Sequence, residues 1–135
     1  QIIESKVYKA DAILLIASIL TDNQIKNFIR EADEYGLDCL IETHTKEELK
    51  RAININYPII GINNRNLNNL SIDLNKTIDL VKKIPSEFTV VAESGINNRE
   101  DIKKYNDAGI FNFLIGESIL KSKNKIDKIK ELKGS

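Results

Sequence analysis

The sequence predicts an α/β fold in which a parallel sheet alternates with helices. Two observations predict it. Five short runs, Ala12–Ala17, Asp38–Thr43, Ile59–Asn63, Thr89–Ala92 and Phe111–Ile115, are near-continuously apolar, as strands covered on both faces are. Their starts, at 12, 38, 59, 89 and 111, lie 21 to 30 residues apart, room for one strand, one helix and two loops. Repeated βα units of that length give parallel strands joined by right-handed crossovers.

The segments between the runs carry helix signals. Thr21 with Gln24 makes a capping box ahead of Ile25, Phe28 and Ile29, and Gly36 stops that helix. Thr45 with Glu48 repeats the box ahead of Leu49 and Ala52. Asp73 is placed to cap a helix displaying Leu74, Ile78 and Val81, with Pro85 just beyond its end. Asn98 with Asp101 opens a helix through Ile102 and Tyr105 that closes near Gly109. A last amphipathic stretch shows Ile126, Ile129 and Leu132, and residues 1–9 read as the end of a helix that precedes the first strand.

At 41% hydrophobic and 30% charged, the 135 residues have the size and composition of one soluble globular domain, expected to span 1–135. Lys+Arg and Asp+Glu both number 20. With no basic excess, neither nucleic acid nor an anionic membrane surface is an expected partner. No apolar run approaches the roughly 20 residues of a membrane span. The single cysteine, Cys39, has no partner for an internal disulfide and sits in an apolar run, which fits a reducing cytoplasmic setting. The chain contains no methionine and begins at Gln1, so further sequence is expected upstream.

Two architectures accept this rhythm, an open doubly wound sheet or part of a closed barrel. Five units in this length scale to about 216 residues for eight, within the range of an eight-stranded barrel. In either case ligands bind where the strands end at their carboxyl side. The second run ends in Glu42, the third in Asn63 with Arg65 beyond, the fourth in Glu93-Ser94-Gly95, and the fifth in Gly116-Glu117. Side chains projecting from rigid strands lose little entropy on meeting a substrate. Gly95 and Gly116 end the last two runs, where barrel enzymes build phosphate sites from backbone N–H groups.

Each residue also has a plainer reading. Glu42 could begin a solvated loop, Asn63 and Asn64 could serve a turn, and Arg65 could pair with a neighbouring carboxylate. Gly95 and Gly116 could serve only tight turns. His44, the lone histidine, has no second ligand or nucleophile beside it in sequence and is read as a loop residue. Cys39 is read as core.

The segments ADAILLIASIL, LIETHTKEELKRA, IIGINNRNL, VVAESGI and FLIGESIL together resemble successive strand and loop motifs of the indole-3-glycerol-phosphate synthases, along the whole chain. The pairing of Asn-x-Arg with Glu-Ser-Gly separates this family from neighbouring phosphate-binding barrels. The resemblance implies a (β/α)₈ TIM barrel of which this chain holds about five C-terminal βα units. It implies tryptophan biosynthesis, by decarboxylating ring closure of 1-(2-carboxyphenylamino)-1-deoxyribulose 5-phosphate, with no metal and no organic cofactor. Glu42 then matches the general acid/base of the dehydration step. Asn63 and Glu93 match residues that hydrogen-bond the substrate, and Ser94, Gly95, Gly116 and Glu117 match the phosphate site. Leu14 corresponds to an apolar residue against the aromatic ring, Leu114 to the pocket wall, and Arg65 to an arginine near the substrate.

In the family, the first general acid is a lysine on the third barrel strand, assisted by a glutamate and a lysine on the first. Gln1 matches a position just past that third strand. The chain alone is therefore expected to be inactive. Its two outer strands are expected to pair with the missing N-terminal half or with a second copy. The alternatives are another phosphate-sugar barrel, such as an isomerase or epimerase, and a non-catalytic half-barrel used for assembly.

Overall fold

The computed structural model describes residues 1–65 and 74–134. Helix and strand alternate along it: α1 (Ile2–Val7), β1 (Ala12–Ile16), α2 (Asp22–Glu34), β2 (Asp38–Thr43), α3 (Lys46–Ile55), β3 (Ile59–Asn63), α4 (Leu74–Val81), β4 (Thr89–Glu93), α5 (Arg99–Asp107), β5 (Asn112–Leu114), α6 (Glu117–Lys121) and α7 (Lys125–Lys133). The five strands follow one another in chain order, β1-β2-β3-β4-β5. A doubly wound sheet reverses its order at a switch point. This one does not, so of the two architectures open to the sequence the strands follow the succession of a (β/α) barrel.

Packing divides the chain into two compact units, Gln1–Gly61 with Pro85–Thr89, and Ile62–Ile84 with Val90–Ser135. In the first unit β1 and β2 pair in parallel, from Ala12 beside Asp38 to Ile16 beside Glu42. Strand periodicity then puts Leu14, Ile16, Leu40 and Glu42 on one face. Leu15, Cys39 and Ile41 lie on the other and are buried, with Ile25 and Ala32 of α2 and Leu49 and Ala52 of α3. Burying an aliphatic side chain of this size contributes about 1.5–3 kcal/mol. Leu14, on the opposite face, stays 42% exposed.

The helix signals resolve as follows. Thr21 and Gln24 form the full box, side chain to backbone in both directions. At α3 only half of the expected box exists. Thr45 accepts from the Glu48 N–H, but the Glu48 carboxylate turns to the backbone N–H of His44 at 2.7 Å instead. After α2 the chain reverses through Gly36 at φ +60, with the Gly36 and Leu37 N–H groups donating to Asp33 and Ala32 carbonyls. That is the Schellman ending, and its left-handed position favours glycine.

In the second unit α5 ends the same way, through Gly109 at φ +85, with Gly109 N–H to Asn106 and Ile110 N–H to Tyr105. Asn98 and Asp101 form the expected full box at its start. Ala92, Ile96, Ile102, Tyr105, Ile110 and Leu132 make the core, flanked by Ile78, Val81, Phe113 and Ile119. β4 and β5 pair in parallel, Val91 beside Asn112 and Glu93 beside Leu114.

Two elements differ from those read in the sequence, and one further helix forms between them. β5 is shorter than Phe111–Ile115, because Phe111 is 69% exposed and lies outside the ladder. The short helix α6 carries no apolar periodicity that would announce it. Of the apolar face expected on α7 only Leu132 is buried, while Ile126 and Ile129 are 66% and 42% exposed. The expected cap Asp73 lies outside the described residues.

Candidate active site

Glu42, Asn63 and Glu93 each stand at the carboxyl end of a strand, β2, β3 and β4. Glu42 belongs to the first unit. Its carboxylate is buried, 6% exposed, and Oε1 lies 3.3 Å from Nε2 of His44. Its backbone carbonyl accepts the Ala17 N–H at 3.0 Å, which pins the strand end beneath it. The solvated-loop reading of Glu42 is thereby removed. Leu14 shares its sheet face, as the register requires.

The loop reading of His44 is also overturned. His44 is buried, and Nδ1 lies 3.5 Å from Oε2 of Glu48 while Nε2 faces Glu42. The spacing Glu42-x-His44-x-x-x-Glu48 was the available signal. The strand end turns directly into the first turn of α3, bringing these three positions together. Arg51, also unmarked in sequence, donates to Asp22 and to the carbonyls of Ala17 and Leu20 at 2.7, 2.9 and 2.6 Å. It fastens the loop that follows β1.

Within the second unit, Asn64 is a buried junction where a turn residue was one reading. The two N–H groups of its Nδ2 are shared among three acceptors, the carbonyls of Glu93 and Ser94 at 2.8 and 3.0 Å and the Tyr105 hydroxyl at 2.7 Å. Its Oδ1 accepts from the Thr77 hydroxyl. Asn63 turns back on its own chain, its Oδ1 accepting the Arg65 N–H at 3.0 Å. The carboxylate of Glu93 is buried, 2% exposed, and Leu114, beside it in the ladder, is half exposed on the same face.

Past β4 the backbone turns left-handed twice, at Ser94 with φ +60 and at Gly95 with φ +78. Serine pays about 1 kcal/mol for that conformation, and such strain gathers at ligand-binding turns. Ser118 Oγ donates to the Ile96 carbonyl at 2.8 Å, so the loop after β4 is tied to α6 and hence to Gly116 and Glu117. A Cβ on Gly116 would meet nothing within 4 Å, which leaves open space above that backbone.

Arg65 pairs with the carboxylate of Glu117, as its plainer reading allowed. Lys121 holds the other oxygen at 2.5 Å. Hydrogen bonds from Lys121 and Arg65, and their charges, lower the Glu117 carboxyl to about 2. Glu117 is thus an anion, and only its backbone N–H suits a phosphate. Among the described residues no group of three or more His, Cys, Asp or Glu could hold a metal ion, and no helix is long and apolar enough to cross a membrane.

Residues 1–132 match the family model of indole-3-glycerol phosphate synthase. The chain belongs to the indole-3-glycerol phosphate synthase family. It is 44% identical over 134 residues to the indole-3-glycerol phosphate synthase of Koribacter versatilis (strain Ellin345), covering 99% of this chain and 52% of that protein. With the synthase of Legionella pneumophila (strain Paris) it shares 46% over 124 residues, 92% of this chain and 48% of the other. It spans about half the length of these curated relatives. Among solved structures, thiamine phosphate pyrophosphorylase from Pyrococcus furiosus superposes with a TM-score of 0.78 at 15% identity, over 99% of this chain and 63% of that one. That likeness concerns the fold alone. Strand order and family together make this chain a partial (β/α) barrel of the synthase family.

Proposed function

We propose that this chain is the acid–base and phosphate-binding portion of an indole-3-glycerol-phosphate synthase. The reaction closes the indole ring of 1-(2-carboxyphenylamino)-1-deoxyribulose 5-phosphate with loss of carbon dioxide and water. One observation carries the assignment: a buried carboxylate, Glu42, at the carboxyl end of β2, in the family segment LIETHTKEELKRA. A buried carboxyl group can take up a proton and return it, as dehydration requires. Asn63 and Glu93 hydrogen-bond the substrate, with Arg65 beside it. Ser94, Gly95 and the N–H groups at Gly116 and Glu117 take the phosphate. Leu14 packs on the aromatic ring, and Leu114 belongs to the pocket wall. A new carbon–carbon bond closes the ring as the carboxylate leaves as carbon dioxide, and that loss makes the enzyme a carboxy-lyase acting on a phosphorylated small molecule; the side chains supply the proton transfers, with no metal or organic cofactor expected.

On this reading residues 1–135 form one partial barrel domain, the remaining βα units supply the first general acid, and the chain alone is inactive. The outer strands support it. β1 borders a cavity of about 590 Å³ lined by Ile2, Leu14, Ile16, Ile19 and Phe28, an apolar edge suited to the missing half or to a second copy. The reduced, buried thiol of Cys39 fits a cytoplasmic enzyme. The test is Glu42→Gln in a family-length synthase carrying this segment. Loss of the acid–base group should lower kcat by about 10²–10⁴ with little change in KM. Undiminished turnover would remove Glu42 from the chemistry.

A further inference from the structure

His44 lies between two buried carboxylates, Glu42 Oε1 at 3.3 Å from Nε2 and Glu48 Oε2 at 3.5 Å from Nδ1, close contacts in which neither buried nitrogen completes a well-aligned hydrogen bond. Side-chain exposure is 9% for the imidazole, 8% for Glu42 and 13% for Glu48. Burying carboxylates this deeply is costly unless a donor faces them. Among the described residues the His44 imidazole is the basic side chain that comes within 4 Å of the Glu42 carboxylate.

The arrangement is fixed from both sides. Thr43 Oγ1 donates to the Gly61 carbonyl at 2.9 Å, which anchors the chain between Glu42 and His44. Glu48 is held in the first turn of α3 by Thr45, at 3.1 Å, and its Oε2 accepts the backbone N–H of His44. The oxygen facing Nδ1 is thus held in place by the histidine's own backbone.

We propose that His44 is a positioning residue that holds the Glu42 carboxylate through Nε2 and is itself oriented by Glu48. The inference rests on Glu42 being the acid–base group. An imidazole there limits where the carboxylate oxygen can point, because the ring fills the space beside it. Glu48 plays the orienting part that a second carboxylate plays behind a functional histidine.

His44 is the sole histidine of the chain, so its ring resonances in the 135-residue protein need no assignment. In ¹⁵N spectra, Glu42→Gln should displace the Nε2 signal more than Nδ1, and Glu48→Gln the reverse. Equal displacement of both nitrogens, or none, would overturn the proposal. Should Glu42→Gln unfold the chain, Glu42→Asp, which withdraws the charge by one methylene, serves with the same expectation. In a family-length synthase, His44→Gln keeps an amide nitrogen near Nε2 and His44→Asn keeps one near Nδ1. The first should retain kcat within about threefold; the second should lose about tenfold or more in kcat at similar KM. Equal kcat losses tracking equal falls in melting temperature would reduce His44 to a packing residue. An inactive wild-type synthase would sink the assigned function while leaving the spectra to decide the geometry.

Discussion

Asn64 donates to the hydroxyl of Tyr105 at 2.7 Å, and this contact ties the end of β3 to α5. The same amide holds the carbonyls of Glu93 and Ser94, so one side chain braces the strained turn after β4. Asn64→Ala strips partners from buried groups and should lower stability by about 2–4 kcal/mol. Tyr105→Phe removes one hydroxyl and should cost about 0.5–1.5 kcal/mol. Urea unfolding with an unchanged slope checks both. If Asn64→Ala proved neutral, the brace would not exist.

Glu117 makes stability depend on acid pH. Its folded carboxyl stands at about 2 against an ordinary 4.5. A folded value below the unfolded one contributes stability present above about pH 4.5 and lost as pH falls toward 2. Because the group is exposed, salt should weaken the effect. Melting temperatures of wild type and Glu117→Gln should converge between about pH 5 and pH 2.5. A constant gap across that window would contradict the pairing with Arg65 and Lys121.

Cys39 should be inert in the folded chain. Burial first, then the charges of Asp38 and Asp33, push its thiol up to about 11 from 9.0. The thiolate is the reactive form. At pH 8, modification by a thiol reagent should therefore proceed only as fast as the chain opens and should become rapid in denaturant. The same shift means stability falls as pH rises from about 9 to 11. Rapid labelling under native conditions would place Cys39 outside the core.

The alternation of strand and helix was legible because strands buried on both faces must be largely apolar, and β2 and β3 span the same residues as the runs read in the sequence, Asp38–Thr43 and Ile59–Asn63. The boxes at Thr21 and Asn98 were legible because capping is a local interaction among four residues. The box at Thr45 came out half formed for the opposite reason: Glu48 had a competing partner in His44, and competition among neighbours is invisible to a spacing rule. The candidate site divides along the same line. Strand-end position singled out Glu42, Asn63 and Glu93, whereas Asn64, Arg51 and His44 act through contacts 13 to 41 residues away or across a strand-to-helix corner. Burial, which converted His44 from a loop residue to a wedge between carboxylates, depends on the packing of α3 and has no local signature.

Under the proposed function, these residues form one part of a synthase whose first general acid lies in further βα units. Fluorescence of indole-glycerol phosphate reads this directly. Purified 1–135 should give no turnover by itself, and turnover should emerge when the N-terminal βα units of a relative are supplied, then vanish with Glu42→Gln. Turnover by the 135-residue chain alone, or restored turnover indifferent to Glu42→Gln, would contradict the account.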